Sequence, residues 1–383
     1  MQNFFKGNDI EWTSIKMRFT PSNLNPQKPM FCGHGLSYKL RTGLKTMTEG
    51  SPSARRISIR TALASPAGRA CLALALMLLL GLVCNGDGAF FKIGTHRDAL
   101  RQMSVYGILA CGMTPVIITG GIDLAVGSLL ALVAVCAAKM AIHWNWPGAL
   151  TVLVSLLVGI VGGSLSGFVT ARLRVQPFIA TLAMMVLARG LAKYASGGTK
   201  ISTAIVNADG TYRYAEVPPL FRFVDSRVLG GNVPVVTVIF LVCAAVAWML
   251  MSKHIWGRHV YATGGSEQAS RFSGVPVMRV KILAYVFSGM CAAVAGICQA
   301  AQEQQGDPEA GAGYELIAIA MVVIGGTSLM GGRGGIGLTL LGVLTIGYLD
   351  KILSINAVPE AGRLMLTGVI IVAAVLTQRR KQN

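Results

Sequence analysis

Apolar residues in this chain run in long stretches, each close to the roughly 20 residues that a helix needs to cross a bilayer. Glycine, proline and charge punctuate them. From Ala67 onward the pattern predicts about ten spans, near 67–85, 103–119, 124–142, 148–170, 177–193, 234–252, 282–301, 316–331, 335–353 and 361–377. The expected fold class is an all-α polytopic membrane protein. An even count of spans places both termini on one side. Residues 1–66 differ from the rest, carrying ten Lys or Arg against Asp9, Glu11 and Glu49, with no apolar run long enough for a signal peptide. Low hydrophobicity with net charge predicts a disordered extension there, ahead of a membrane domain over 67–383. Met17, Met30 and Met47 are alternative starts within it.

Composition agrees with a membrane protein. The 383 residues are 53% hydrophobic and only 13% charged, with mean hydropathy +0.59, against roughly 25% charge in soluble domains. A formal charge of +18 raises nucleic acid as a partner, yet the basic residues sit in short loops and at the termini, so no nucleic-acid face is expected. Positive charge beside a span marks the cytoplasmic side. That rule puts inside the connections 120–123, 171–176 with Arg172 and Arg174, 253–281, 332–334 with Arg333, and the tail Arg379-Arg380-Lys381. Asp87, Asp98, Asp209, Glu216, Asp225, Asp307, Glu309 and Glu360 then fall outside. Of the eight Cys residues, all but Cys32 lie in or at the ends of apolar runs without paired spacing, so core packing is expected and neither a metal nor a cofactor is.

The longest basic connection, Lys253 to Lys281, sets Lys253, Arg258, Arg271, Arg279 and Lys281 against one acid, Glu267. Residues Glu267 to Phe272 have the composition of a short extramembrane helix, bounded by Gly264-Gly265 and by Gly274-Val275-Pro276. A solvated connection and a docking loop both fit, although a plain linker needs no bounded helix. The fourth span places Gly159, Gly162, Gly163 and Gly167 at spacings that let helix backbones approach closely in lipid.

Two segments interrupt the apolar pattern. In Gly120 to Ser128, Gly120 and Gly121 precede Asp123, which either caps the helix that follows or serves a gate, since an acid at membrane depth needs a partner or water. In Gly325 to Gly337, the density of glycine beginning with Gly325 and Gly326 excludes a regular lipid-facing helix and predicts a tight turn between helices. The chain has no Gly-Lys dipeptide, so it lacks a Walker A loop and cannot hydrolyse ATP by itself. Few interior ionisable groups, chiefly Asp123, Arg189 and Asp350, are present to support the alternative of an ATP-independent secondary transporter or channel. A membrane enzyme is disfavoured because His34, His96, His143, His254 and His259 form no metal-like pairing on one helical face.

Five strings in fixed order carry a resemblance: GGIDLAVGS at 120–128, VQPFIATLA at 175–183 followed by Ala188-Arg189-Gly190, GRHVYATGG at 257–265, SGMCAAVAGI at 288–297 and YELIAIAMVVIGGTSLMGGRG at 314–334. Together they resemble the ribose-type sugar permeases of bacterial ABC importers over roughly residues 70–380. The resemblance implies about ten helices per subunit in the inner membrane with cytoplasmic termini. It also implies a second permease subunit in a homodimer or pseudo-dimer, a cytoplasmic ABC ATPase holding ATP and Mg, and a periplasmic binding protein that delivers a monosaccharide. It assigns ATPase coupling to Gly264, Gly265, Ser266, Glu267, Ala269, Phe272 and Gly274, and makes Gly120, Gly121, Asp123, Glu315, Gly325 and Gly326 pathway or gate candidates. The chain departs from the pattern at Ser266, where Asn is usual, and at Ile317, where an acid is usual.

Overall fold

Helices form where the apolar runs predicted them, and prolines or capping side chains set several of their starts. The computed structural model describes residues 65–206 and 211–379. Residues 1–64, Asp209 and the end of the basic tail lie outside the described residues. The helices are α1 (Pro66–Val83), α2 (Ile93–Ile118), α3 (Val126–Ala138, continued by a wide π turn at Lys139–His143), α4 (Gly148–Ala171), α5 (Pro177–Ser196), α6 (Pro219–Val224), α7 (Val235–Ser252), α8 (Ile255–Gly265), α9 (Glu267–Phe272), α10 (Val277–Glu303), α11 (Tyr314–Ile324), α12 (Ile336–Ile355) and α13 (Glu360–Arg379). Two short antiparallel hairpins, β1 (Ala204–Val206) with β2 (Tyr212–Tyr214) and β3 (Arg227–Val228) with β4 (Val233–Pro234), lie between α5 and α7. Ser65 caps α1 by accepting the Gly68 N–H at 3.0 Å, with Pro66 following in the first turn. Gly197, at φ 66°, ends α5 in the left-handed conformation that only glycine adopts at little cost.

The chain is a multi-pass helical membrane protein. Among the described residues, seven helical segments are long and apolar enough to cross a membrane: α1, α3 with its π turn, α4, α5, α7, α10 and α12. The other three expected spans map onto α2, α11 and α13. Charge explains the first, since α2 opens through His96, Arg97, Asp98 and Arg101. The expected span 316–331 needs correction, because α11 has 11 residues and stops at Ile324. At about 1.5 Å per residue it covers about half of a ~30 Å hydrocarbon core. The lead-in to α11 runs beside α3, with Gly306 against Ala134 and Ala138 and Gly311 against Gly127 and Leu130. Arg189 on α5 holds this irregular backbone by donating to the carbonyls of Pro308 at 2.6 Å and Ala310 at 2.8 Å. Protein groups thereby satisfy polar backbone that lipid cannot.

Helix α10 is central and packs against α2, α3 and α4. The glycines of α4 explain the closeness of that contact. A Cβ at Gly159 would lie 2.3 Å from the Gly289 carbonyl oxygen, and one at Gly163 would lie 2.3 Å from the Tyr285 carbonyl oxygen. Gly162 faces Leu129 of α3 instead. The small residues therefore set helix spacing, as their pattern predicted. Cys111, Cys291 and Cys298 are buried in the same core.

Contacts define two ends of the bundle. At one end Ile201 bridges Gly306, Lys200 pairs with Asp307, Lys193 with Glu309, Arg101 with Asp225 and Arg227 with Asp98. At the other lie the ends of α2 and α4, helices α8 and α9, and the α11–α12 connection. This second end holds Arg172, Arg174, Lys253, Arg258, Arg271, Arg279, Lys281 and Arg333 with Glu267 as the acid among them.

Candidate functional site

At the basic end, α8 and α9 form a helical pair rather than a loop with one helix. Sequence reasoning found α9 with its observed bounds and missed α8, whose Gly264-Gly265 pair it read as a boundary. Those glycines form the last turn of α8. Ser266 then caps α9, accepting the Ala269 N–H at 3.2 Å. Gly274, at φ 78°, turns the chain into α10. Ala269 is exposed, and Phe272 presents its ring to solvent at 84% exposure. An exposed aromatic on so polar a helix has no role in the fold.

Glu267 ties this helix to the bundle. Its Oε1 accepts from Arg271 one turn along at 2.5 Å, and its Oε2 accepts from Lys281 of α10 at 2.5 Å. Partial burial alone would raise the carboxyl, but hydrogen bonds and charge from Lys281 and Arg271 outweigh it and hold Glu267 below its ordinary pKa. A depressed folded-state pKa gives stability that is full above the unfolded value and is lost as pH falls through the folded one. Glu267→Gln should therefore lower the unfolding temperature slightly at neutral pH, by at most about 1 kcal/mol for so exposed a network. Thermal scans in detergent check this, and the gap between variant and wild type should close only below the ordinary carboxylate range.

Three segments that are distant in sequence meet behind α8. The Gly332 N–H donates to the Ile118 carbonyl at the end of α2 at 2.9 Å. A Cβ on Gly264 would sit 1.7 Å from that same carbonyl oxygen and 2.5 Å from the Gly332 nitrogen. Tyr261 of α8 donates to the Gly334 carbonyl at 3.1 Å, and Gly331, at φ 86°, lies against Gly264 and Gly120 backbone. Backbone therefore packs on backbone, which glycine alone permits. Gly120, a gate candidate, and Gly264, a coupling candidate, belong to one junction.

From this junction the chain enters the segment holding Asp123. The carboxylate is fully buried, with Oδ1 accepting the Ala125 N–H at 3.0 Å and Oδ2 accepting the Ser288 hydroxyl of α10 at 2.7 Å. Asp123 is not the cap of α3: Ala125 holds the N-cap position, without a side-chain cap. The acid instead folds its own turn and pins it to α10. Tyr285 and Thr181 add bonds to the neighbouring Ile122 carbonyl, each at 3.3 Å. A Cβ at Gly121 would meet the Tyr285 hydroxyl at 2.7 Å.

The remaining gate candidates do not join this cluster. Gly325 packs against the Leu338 backbone of α12 and Gly326, at φ 108°, against Pro66 of α1. Both serve helix crossing. Glu315 stands in the first turn of α11 beside Gly127. Tyr261, Tyr285 and Ser288 escaped the sequence reading, because a Tyr or Ser in a helix gives no local sign of a partner far along the chain.

The model for the family described as "Branched-chain amino acid transport system / permease component" matches residues 97–375. The chain is 41% identical to the ribose import permease protein RbsC of Escherichia coli K12, over 81% of this chain and 93% of that protein. It is 33% identical to the fructose import permease protein FrcC of Rhizobium meliloti, over 78% and 82% of the two chains. With the L-arabinose transport system permease protein AraH of E. coli K12 it shares 34% identity over 73% and 81%. No solved structure matches.

Proposed function

The chain belongs to the transport-permease family of the bacterial ribose import permeases, and from that premise we propose that it forms the translocation pathway for a monosaccharide in an ATP-driven importer. The family description mentions branched-chain amino acids. Likeness over most of the chain to permeases named for ribose, fructose and L-arabinose supports the sugar instead. In this reading the chain works without its own cofactor. A separate ABC ATPase binds ATP and Mg, a periplasmic binding protein delivers the sugar, and a second permease subunit completes the pathway. The basic end faces the cytoplasm, which follows from the charge rule, and the described helices with their connections supply ten crossings.

The observation that carries the reading is α9: a capped, solvent-presented helix with Phe272 exposed at the basic end. Exposed ion pairs contribute little to a contact, so an apolar anchor such as Phe272 is the feature a partner's cleft would grip. ATP binding in the partner then moves α9, Glu267 passes that movement to α10 through Lys281, and α8 passes it to the glycine junction. A partner shifts such an equilibrium only by contacting the two states differently.

Ala269→Arg tests the contact. With ATPase and binding protein of the ribose type in vesicles, the variant should insert normally yet lose co-purification with the ATPase and lose sugar-stimulated hydrolysis. Unchanged association and stimulation would overturn the coupling role of α9.

A further inference from the structure

Helix α11 begins part-way through the bundle, and a cavity of about 280 Å³ opens beside its first turn. Among the polar and aromatic residues that line it, from five helices, are Tyr106 of α2, Gln299 and Gln302 of α10, Tyr314 of α11, Asp350 of α12, and Glu360 and Arg363 of α13. This is an unusual set for an interior between apolar helices, where each polar group costs free energy unless it is bonded. Packing alone would be served by Leu or Ala.

The chemistry of the set is specific. Tyr106 and Tyr314 hold their rings 4.5 Å apart, tilted by 51°, giving an aromatic wall. Gln299 is only 8% exposed and donates to Glu303 at 2.5 Å, while Gln302 donates to the Arg101 carbonyl at 3.1 Å. Arg363 Nη1 donates to both Asp350 oxygens, at 3.0 and 3.2 Å. Its Nε–H is buried and has no hydrogen-bond partner among the described residues. Asp350 and Arg363 thus neutralise each other, and Glu360, which also lines the cavity, adds a carboxylate acceptor to a surplus of donors and acceptors. Such a surface suits a neutral molecule covered in hydroxyl groups, with an aliphatic face that rests on tyrosine.

We propose that this cavity is a carbohydrate subsite within the permease, where Tyr106 and Tyr314 take the C–H face of a monosaccharide and Gln299, Gln302 and the Asp350–Arg363 pair take its hydroxyls. The assignment rests on the sugar-import reading and deepens it. Binding here is weak, because a site that a sugar must leave again cannot hold it tightly.

Saturation-transfer NMR tests the site on purified full-length permease in lipid nanodiscs, using D-ribose, D-fructose, L-arabinose and L-leucine as probes. At least one of the sugars should give a signal and L-leucine none. Tyr106→Ala and Gln299→Leu should weaken that sugar's signal about tenfold, whereas Tyr106→Phe, which keeps the ring, and Ala269→Arg, outside the cavity, should preserve it. Gln302→Leu covers the case in which the first two variants fail to fold. Vesicle uptake with ATPase and binding protein is measured in parallel. Sugar uptake by the wild type with equal signals in wild type and the folded cavity variants would overturn the subsite and leave the importer reading standing. A signal from L-leucine alone, or no uptake of any of the three sugars, would overturn both.

Discussion

Gly264→Ala is expected to abolish uptake while the protein still inserts into the membrane. The added methyl carbon would lie 1.7 Å from the Ile118 carbonyl oxygen and 2.5 Å from the Gly332 nitrogen, both of them backbone atoms. No side chain can rotate away to make room, so α8 must separate from the end of α2 or the glycine connection must move. Overpacking of this kind costs about 1–3 kcal/mol in ordinary cores, occasionally more, and here it falls on the junction between the coupling helices and the Asp123 turn. The neighbouring variant provides the control. A Cβ on Gly265 meets nothing within 4 Å, so Gly265→Ala should transport at close to the wild-type rate. Initial uptake rates at matched membrane expression check both, with Gly264→Ala expected at least about tenfold below wild type, a loss equivalent to about 1.4 kcal/mol. Equal rates for the two variants would show that the three segments do not act as one unit.

Asp123→Leu should do greater damage, reaching assembly itself. Its carboxylate accepts from the Ala125 N–H and the Ser288 hydroxyl in a fully buried place, and leucine leaves both donors without that acceptor. Each buried group left unsatisfied costs about 1–3 kcal/mol, so the variant should lose several kcal/mol of a marginal total. Asp123→Asn keeps one carbonyl oxygen for Ala125 and an amide that can donate to Ser288. It should therefore retain much of the expression and part of the uptake. Folded yield by size-exclusion chromatography and uptake per folded molecule separate the two effects. A leucine variant with wild-type yield and uptake would remove Asp123 from both the fold and the gate. A double variant with Ser288→Ala would measure the coupling of the pair.

How much of this was legible beforehand follows from the range over which each force acts. Apolar run length is local, so the span positions, the glycine face of α4 and the bounds of α9 could be read directly. Capping is local as well, and the Ser266 start of α9 agrees with the short helix expected there. The half-length of α11 was partly legible: the glycines from Gly325 onward predict a turn, yet the expected span 316–331 runs through it, and the helix stops at Ile324, where Gly325 crosses the α12 backbone. The role of Asp123 was half legible. An acid between two spans needed a partner, but nothing local points to Ser288, 165 positions away.

The sequence by itself determined the class of the protein, because the cost of exposing backbone to lipid forces long apolar runs into helices, and the order of five motifs determined its family. Tertiary structure decided which of those motifs work together. Gly120, Gly264 and Gly331 carry no chemistry that attracts one another along the chain. They meet because glycine is the residue whose backbone another backbone can touch, and that property acts only once the helices are packed.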